Sequence, residues 1–177
     1  MEQSTKSKAI NLGLILGSIL AGITLVSYAA YLELLTKWWL GVFLFIVIIV
    51  FGTISVTKAK QLNEGFIEFK DAFSAYFITI AIGIIISTAT SILIFNVLDQ
   101  EAALQLKEMT IEATVKMMKG FGAPAESISQ TVDAMEEQKN QYSVGPQLQS
   151  TAIFLVIQSI IGLIIALIMK KPKENQI

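Results

Sequence analysis

The chain is 177 residues long, 54% hydrophobic and 15% charged, with a net charge of −1. Soluble domains carry about a quarter charged residues, so this deficit places the chain among integral membrane proteins. Cysteine, histidine and arginine do not occur, which excludes disulfides, thiolate or imidazole metal sites, a histidine base and a guanidinium clamp; no metal or cofactor is expected, and the lack of a basic run argues against a nucleic-acid partner.

Met1–Lys8 is polar and carries Lys6 and Lys8. The run Ala9–Leu32 that follows is uncharged, and its length of about 24 residues exceeds the 7–15 of a signal-peptide core. Ser27-Tyr28-Ala29 resembles a cleavage site, but the run length argues for a retained first span over residues 9–33. Gly13, Gly17 and Ala21 recur at intervals of four, a spacing that lets helix backbones approach closely in lipid. This seam fits packing against another helix of the chain or, alternatively, a homodimer.

Tyr28, Tyr31 and Glu33 close the first span, and Lys37-Trp38-Trp39 open the second, over residues 38–57. Aromatic rings with polar tips settle at the headgroup level, so the two spans form a tight antiparallel pair anchored by Trp38 and Trp39. Phe43 to Phe51 is bulky and almost featureless, which predicts a largely lipid-facing helix. After Lys58 and Lys60, Asn63-Glu64-Gly65 marks a turn. Phe66, Phe69, Phe73 and Tyr76 then follow at helical spacings that place them on one face. The reading is a helix that starts in the interface plane and runs into span three. Phe66, Phe69 and Phe73 form its ledge, as an anchor or a docking surface.

Span three, Ala72–Leu98, is a run of about 27 residues without a charge, longer than the roughly 20 a bilayer core requires. It holds Thr79, Ser87, Thr88, Thr90, Ser91 and Asn96. Span four, residues 148–169, adds Gln158 and Ser159. Polar groups in hydrocarbon seek partners on neighbouring helices, so Gln158 is expected to bond a hydroxyl of span three. The alternative is a polar path for a small solute lined by Ser87, Thr88, Ser91 and Gln158. Apart from Glu33, which closes the first, no charged residue lies in a span, which argues against ion-coupled transport.

Residues 99–147 form the one sizeable polar region and read as an αα-hairpin. Asp99 is placed to cap a helix running from Gln100 to Lys119, Gly120 to end it, and Pro124 to open a second helix with Glu126 in its first turn. Leu104, Ile111, Val115 and Met118 of the first helix face Ile128, Val132 and Met135 of the second. The first helix also has an opposite apolar face, Ala102, Leu106, Met109, Ala113 and Met117. Leu106, Met109 and Met117 are therefore expected to meet a partner, since a single helix pairing uses only one stripe.

Eight of the 13 lysines lie before span one, between spans two and three, and after span four. The positive-inside rule makes that side cytoplasmic, with both termini inside and residues 99–147 outside. The fold class is all-α: a polytopic membrane protein with four transmembrane helices and an extracytoplasmic αα-hairpin between spans three and four.

Taken in order, four motifs resemble an uncharacterised family of membrane proteins, domain of unknown function 4199, found mainly in Bacteroidota. They are Thr36-Lys37-Trp38-Trp39-Leu40-Gly41, Phe51-Gly52-Thr53-Ile54-Ser55, Gly65-Phe66-Ile67-Glu68-Phe69-Lys70-Asp71-Ala72-Phe73 and Phe121-Gly122-Ala123-Pro124. The resemblance extends over essentially the whole chain. It implies a four-helix protein of the bacterial inner membrane, which makes the outer side of the lysine reading, with residues 99–147, periplasmic, and it supplies no activity or catalytic residues. Many members carry a proline after the aspartate that opens the insert; here that position is Gln100.

The function expected is non-enzymatic: contact with the lipid bilayer and with another membrane protein or a second copy, as an accessory or scaffold subunit of an envelope complex. The alternative is a small passive pore or solute carrier. An enzyme would have to work from carboxylates such as Glu108 and Glu112, an i, i+4 pair of the kind that ordinarily lines a solvated helix face.

Overall fold

The computed structural model describes residues 3–173. Among them the backbone forms six α-helices: α1 (Gln3–Ala30), α2 (Trp38–Leu62), α3 (Phe69–Ile92), α4 (Gln100–Gly120), α5 (Ala125–Glu137) and α6 (Val144–Met169). A 3₁₀ turn over Leu32–Thr36 joins α1 to α2, and α3 runs on as a π-helical turn over Leu93–Leu98. The helices α1, α2, α3 with its π-helical extension, and α6 are each long and apolar enough to cross a membrane. The chain is therefore a polytopic membrane protein. The helices outrun the expected spans: α1 starts at Gln3 rather than Ala9, α2 continues to Leu62, and α6 begins at Val144. Hydropathy marks the hydrocarbon layer, whereas a helix continues wherever its backbone bonds do, and Lys, Gln and Ala are good helix formers.

Helix α3 packs against all three other spanning helices. Lipid tails are as apolar as leucine, so the helices associate through close packing and hydrogen bonds rather than hydrophobic burial. Small residues make the approach possible. A Cβ built on Gly13 of α1 would sit 2.8 Å from the Thr79 carbonyl oxygen, and one on Gly17 2.7 Å from Ile86 Cδ1. Reciprocally, one on Gly83 of α3 would sit 2.7 Å from Leu16 Cδ2. The seam read from Gly13 and Gly17 thus closes on α3 of the same chain, and Ala21 is half-buried one turn further on.

Two residues of α3, one turn apart, fasten the bundle. The Thr79 hydroxyl lies 2.9 Å from the Ala9 carbonyl oxygen of α1 and 2.8 Å from the Ser55 hydroxyl of α2, whose own proton goes to the Ala75 carbonyl at 2.9 Å. Tyr76 reaches α6. Both Tyr76 and Thr79 are fully buried.

At one end of the bundle the α2–α3 loop and the chain after α6 are clamped together. Ile67 and Lys171 exchange backbone hydrogen bonds of 2.9 and 2.8 Å as an isolated antiparallel bridge. Lys60 Nζ donates to the Met169 carbonyl at 3.1 Å, and Lys173 pairs with Glu64 at 3.1 Å. The Lys171 and Lys173 ammonium groups lie 5.2 and 5.9 Å from the Phe66 ring centroid.

At the other end the insert is rooted on the bundle. Asp99 caps α4, its Oδ1 accepting the Ala102 N–H at 2.9 Å, and its Oδ2 accepts the Tyr28 hydroxyl of α1 at 2.9 Å. The Asp99 N–H bonds the Ile94 carbonyl five residues back, the bond of a π-turn. The Gln100 side-chain amide donates to the Asn96 carbonyl at 3.0 Å, giving that helix-end acceptor a partner. Ile94, Phe95, Ala102, Ala103 and Leu106 then form a second core, covered by Tyr28, Leu32, Leu35 and Tyr142.

Helix α5 folds back on α4, with Ile128, Val132 and Met135 half-buried, as are Ile111, Val115 and Met118 opposite. Leu104 does not join this stripe and is 58% exposed. Lys107 Nζ donates to the Glu136 and Gln138 carbonyls, both at 2.9 Å, so α5 ends beside Lys107 and stops short of Leu104.

Candidate functional site

The residues carrying polarity into the bundle divide into two groups. Ser87, Thr88 and Ser91 of α3, hydroxyls of the alternative polar path, border a recess of about 430 Å³ where the bundle meets the insert. Thr24 of α1 and Gln147, Ser150 and Thr151 of α6 line it too, with Gln141 and Tyr142 of the α5–α6 loop above. The Thr88 and Thr151 hydroxyls are 2.9 Å apart, joining α3 to α6. The Tyr142 carbonyl accepts from Asn96 Nδ2 at 2.8 Å and also from Gln147 Nε2. Asn140 holds the loop to α4 through a 2.9 Å bond to the Ala103 carbonyl.

Sequence reading found Ser87, Thr88 and Ser91 but missed the other side of the recess. Ser150 and Thr151 sit at a span end and Thr24 is a lone hydroxyl within span one, both easily unremarked, and only the packing of α1 and α6 on α3 brings them opposite. The lining offers hydroxyl and amide donors and acceptors and no charged side chain. It offers hydrogen-bond partners for water or a neutral polar solute.

Gln158 does not line this recess. It is fully buried, and its Oε1 accepts a 2.9 Å hydrogen bond from the Tyr76 hydroxyl, as expected for a partner on span three. Its Nε2 is buried and lacks a partner among the described residues. The four polar residues grouped as one path are therefore two sites, a lined recess and a closed core.

The ledge residues are also divided. Glu64 and Gly65 take positive φ values of 55° and 85°, and the chain then extends through the Ile67–Lys171 bridge, so α3 begins only at Phe69. Phe66 thus lies outside the helix, beneath the lysines of the tail, and does not share a helical face with Phe69 and Phe73. Phe69 is 36% exposed, while Phe73 packs on the bundle core and stacks on Phe77 with centroids 5.8 Å apart. Tyr76, read as sharing the helical face of these aromatics, lies in the core.

The partner-facing surface of α4 needs a similar correction. Leu106 is completely buried in the second core, because α4 lies down on the α1–α2 turn and on the π-turn. Met109 is half-buried and borders a recess shared with Glu33, Thr36 and Lys37 of that turn. Met117 remains 47% exposed.

Electrostatics concentrate at this junction. Asp99 is held below the ordinary carboxylate range, first by the Ala102 N–H and then by the Tyr28 hydroxyl. Glu33 is lowered by its bonds from Lys37 and Tyr31, and Lys37 is raised in return.

A family profile described as "Protein of unknown function (DUF4199)" matches residues 11–171. No curated protein and no solved structure matches the chain.

Proposed function

We propose that this chain, which belongs to the DUF4199 family of proteins of unknown function, is a non-enzymatic membrane protein that works by contact, as an accessory or scaffold subunit of a bacterial envelope complex. The observation supporting this reading is the contrast between the two ends of the insert. Its root is fixed by Leu106, Phe95 and the Asp99 bonds. Its far end is open: no residue of α5 is buried, and Phe121 at the turn is 85% exposed. A firmly seated stalk carrying an exposed aromatic presents a surface rather than enclosing a reaction.

Met117 and Phe121 on the insert and Phe69 at the opposite end are the contact residues of this reading. Gly13, Gly17 and Leu106 are used internally. The lysine clusters orient it, with both termini cytoplasmic and the insert periplasmic. The test is a photoreactive amino acid at position 121 of the full chain, irradiated in intact cells. A single protein adduct that co-purifies at fixed stoichiometry is expected. Adducts to lipid alone, from positions 121 and 117 alike, would overturn the reading.

A passive path for a small neutral solute is the second reading, favoured by the hydroxyl-lined recess. It requires the recess to continue past the closed Tyr76–Gln158 contact. Solute flux into proteoliposomes that Ser91→Leu abolishes would support it over the first.

A further inference from the structure

Between α1 and α2, in the half of the bundle nearer the insert, the surface is hollowed into an open groove of about 520 Å³. Gly22 makes its floor: a Cβ built there meets no atom within 4 Å, whereas those on Gly13 and Gly17 would collide with α3. Ile23 and Val26 of α1 and Phe43 of α2 stand around it. Two serines line it as well. Ser18 donates to the Leu14 carbonyl at 2.9 Å, but Ser27 is 1% exposed and its Oγ has no partner among the described residues. From Ser18 to Ser27 the helix advances about 14 Å at 1.5 Å per residue, close to one leaflet of a hydrocarbon core about 30 Å thick.

We infer that this groove holds one acyl chain of a glycerophospholipid from the leaflet on the insert side. An empty groove would forfeit the dispersion contacts of its walls, so hydrocarbon fills it. The rim selects what kind. Helix pairs in lipid favour small residues at the contact; Ser18 and Gly22 are small, but Ile19, Ile23, Val26 and Phe43 line the groove beside them, and their bulk leaves room for a flexible chain rather than a helix of a second copy. The depth of one leaflet is the length of an acyl chain, where a helix would need a seam through both.

The head of the lipid is met at the upper end. Leu34, Trp39 and Leu40 of the groove flank, along the chain, Thr36 and Lys37, which line two adjoining recesses under α4, one with Trp38 and Lys116 and the other with Glu33, Glu112 and Lys116. Trp38 and Trp39, 72% and 49% exposed, mark this as headgroup level. Glu33 and Lys37 pair with each other, Tyr31 bonding Glu33 as well, which leaves the Lys116 ammonium to meet the phosphate of a zwitterion and the Glu112 carboxylate to meet its amine. Phosphoethanolamine is therefore the headgroup that fits.

The full chain, reconstituted in nanodiscs of phosphatidylethanolamine and phosphatidylglycerol in equal parts, is transferred to mild detergent and weighed by native mass spectrometry. One retained phosphatidylethanolamine per chain is expected. Gly22→Leu fills the floor and lowers the retained fraction roughly tenfold or more, and Gly22→Ala falls between. Gly41→Leu, on α2 outside the groove and also with nothing within 4 Å, leaves retention unchanged and controls for folding. Equal retention by Gly22→Leu and the unaltered chain, preferential retention of phosphatidylglycerol, or a dimer mass in place of the lipid adduct would each overturn the proposal.

Discussion

The Tyr76 hydroxyl of α3 donates a 2.9 Å hydrogen bond to Oε1 of Gln158 on α6, with neither side chain reaching the surface. The ring that carries it is held between two glycines of different helices. A Cβ on Gly52 would stand 2.4 Å from Tyr76 Cε2, and one on Gly162 2.5 Å from Cδ1. One aromatic side chain thus sets the spacing of α2, α3 and α6 and supplies their polar contact.

Removing the hydroxyl with Tyr76→Phe leaves the amide with neither end paired. A buried unsatisfied group costs about 1–3 kcal/mol in general, and hydrogen bonds between membrane helices average only about 0.6 kcal/mol. The expected loss is therefore about 1 kcal/mol in reversible unfolding by SDS in micelles. Adding Gln158→Leu should restore much of it, because the amide that lacks partners is then gone.

Glycines should separate by what faces them. Gly52→Ala and Gly162→Ala push on a clamped ring and are expected to cost about 1–3 kcal/mol or more in the same unfolding measurement. Gly13→Ala meets the Thr79 backbone carbonyl, which cannot rotate away, and belongs with them. Gly22→Ala and Gly41→Ala meet nothing within 4 Å and should change stability little.

On α4, Leu106→Asp buries a charge in the second core, at a cost of several kcal/mol. Hydrogen exchange should then quicken across residues 93–106 and in the 31–36 turn while the spanning helices stay protected. Met117→Asp, at an exposed position, should leave exchange unchanged. Equal effects would show that the root of the insert is not where the insert is held.

Asp99 ties stability to pH. Its folded pKa is depressed, chiefly by the Ala102 N–H, so its contribution is fully present above the ordinary aspartate value of about 3.9 and is lost as pH falls through the depressed one. Asp99→Asn offers one acceptor oxygen where two are used and cannot ionise. Its melting midpoint should lie below that of the unaltered chain at pH 7, and the gap should close on acidification below about 3.9. A gap that persists at low pH would mean the carboxylate charge is not what matters.

Orientation is testable without purification. A reporter joined after Lys173 should be active only when it acts in the cytoplasm, and one inserted at Gly122 only outside. Cytoplasmic labelling at Gly122 would reverse the topology read from the lysines.

The architecture was legible because lipid imposes it. Backbone groups in hydrocarbon must be paired within the segment, so each long uncharged run had to be a helix. Asp99, Gly120 and Pro124 marked the ends of the insert helices through local capping chemistry. The need of Gln158 for a partner followed from desolvation alone. Periodicity could also list the faces of α4, but not what would cover them.

The assignment of those faces belonged to the tertiary structure. Glu64 and Gly65 turn the backbone and Ile67 pairs with Lys171, which starts α3 late and takes Phe66 off its helical face. The π-turn at Leu93–Leu98 and the turn at Leu32–Thr36 meet around Leu106, so a stripe that looked unclaimed is filled from within the chain. Tyr76 passes from interface to core because Gly52 and Gly162, 110 residues apart in sequence, open a slot on both sides of its ring. Sequence by itself determined which segments cross the membrane, since that depends on the solvent around each residue. Only the packing of α1, α2 and α6 on α3 decided which polar and aromatic side chains meet, since that depends on distances between segments that no local pattern encodes.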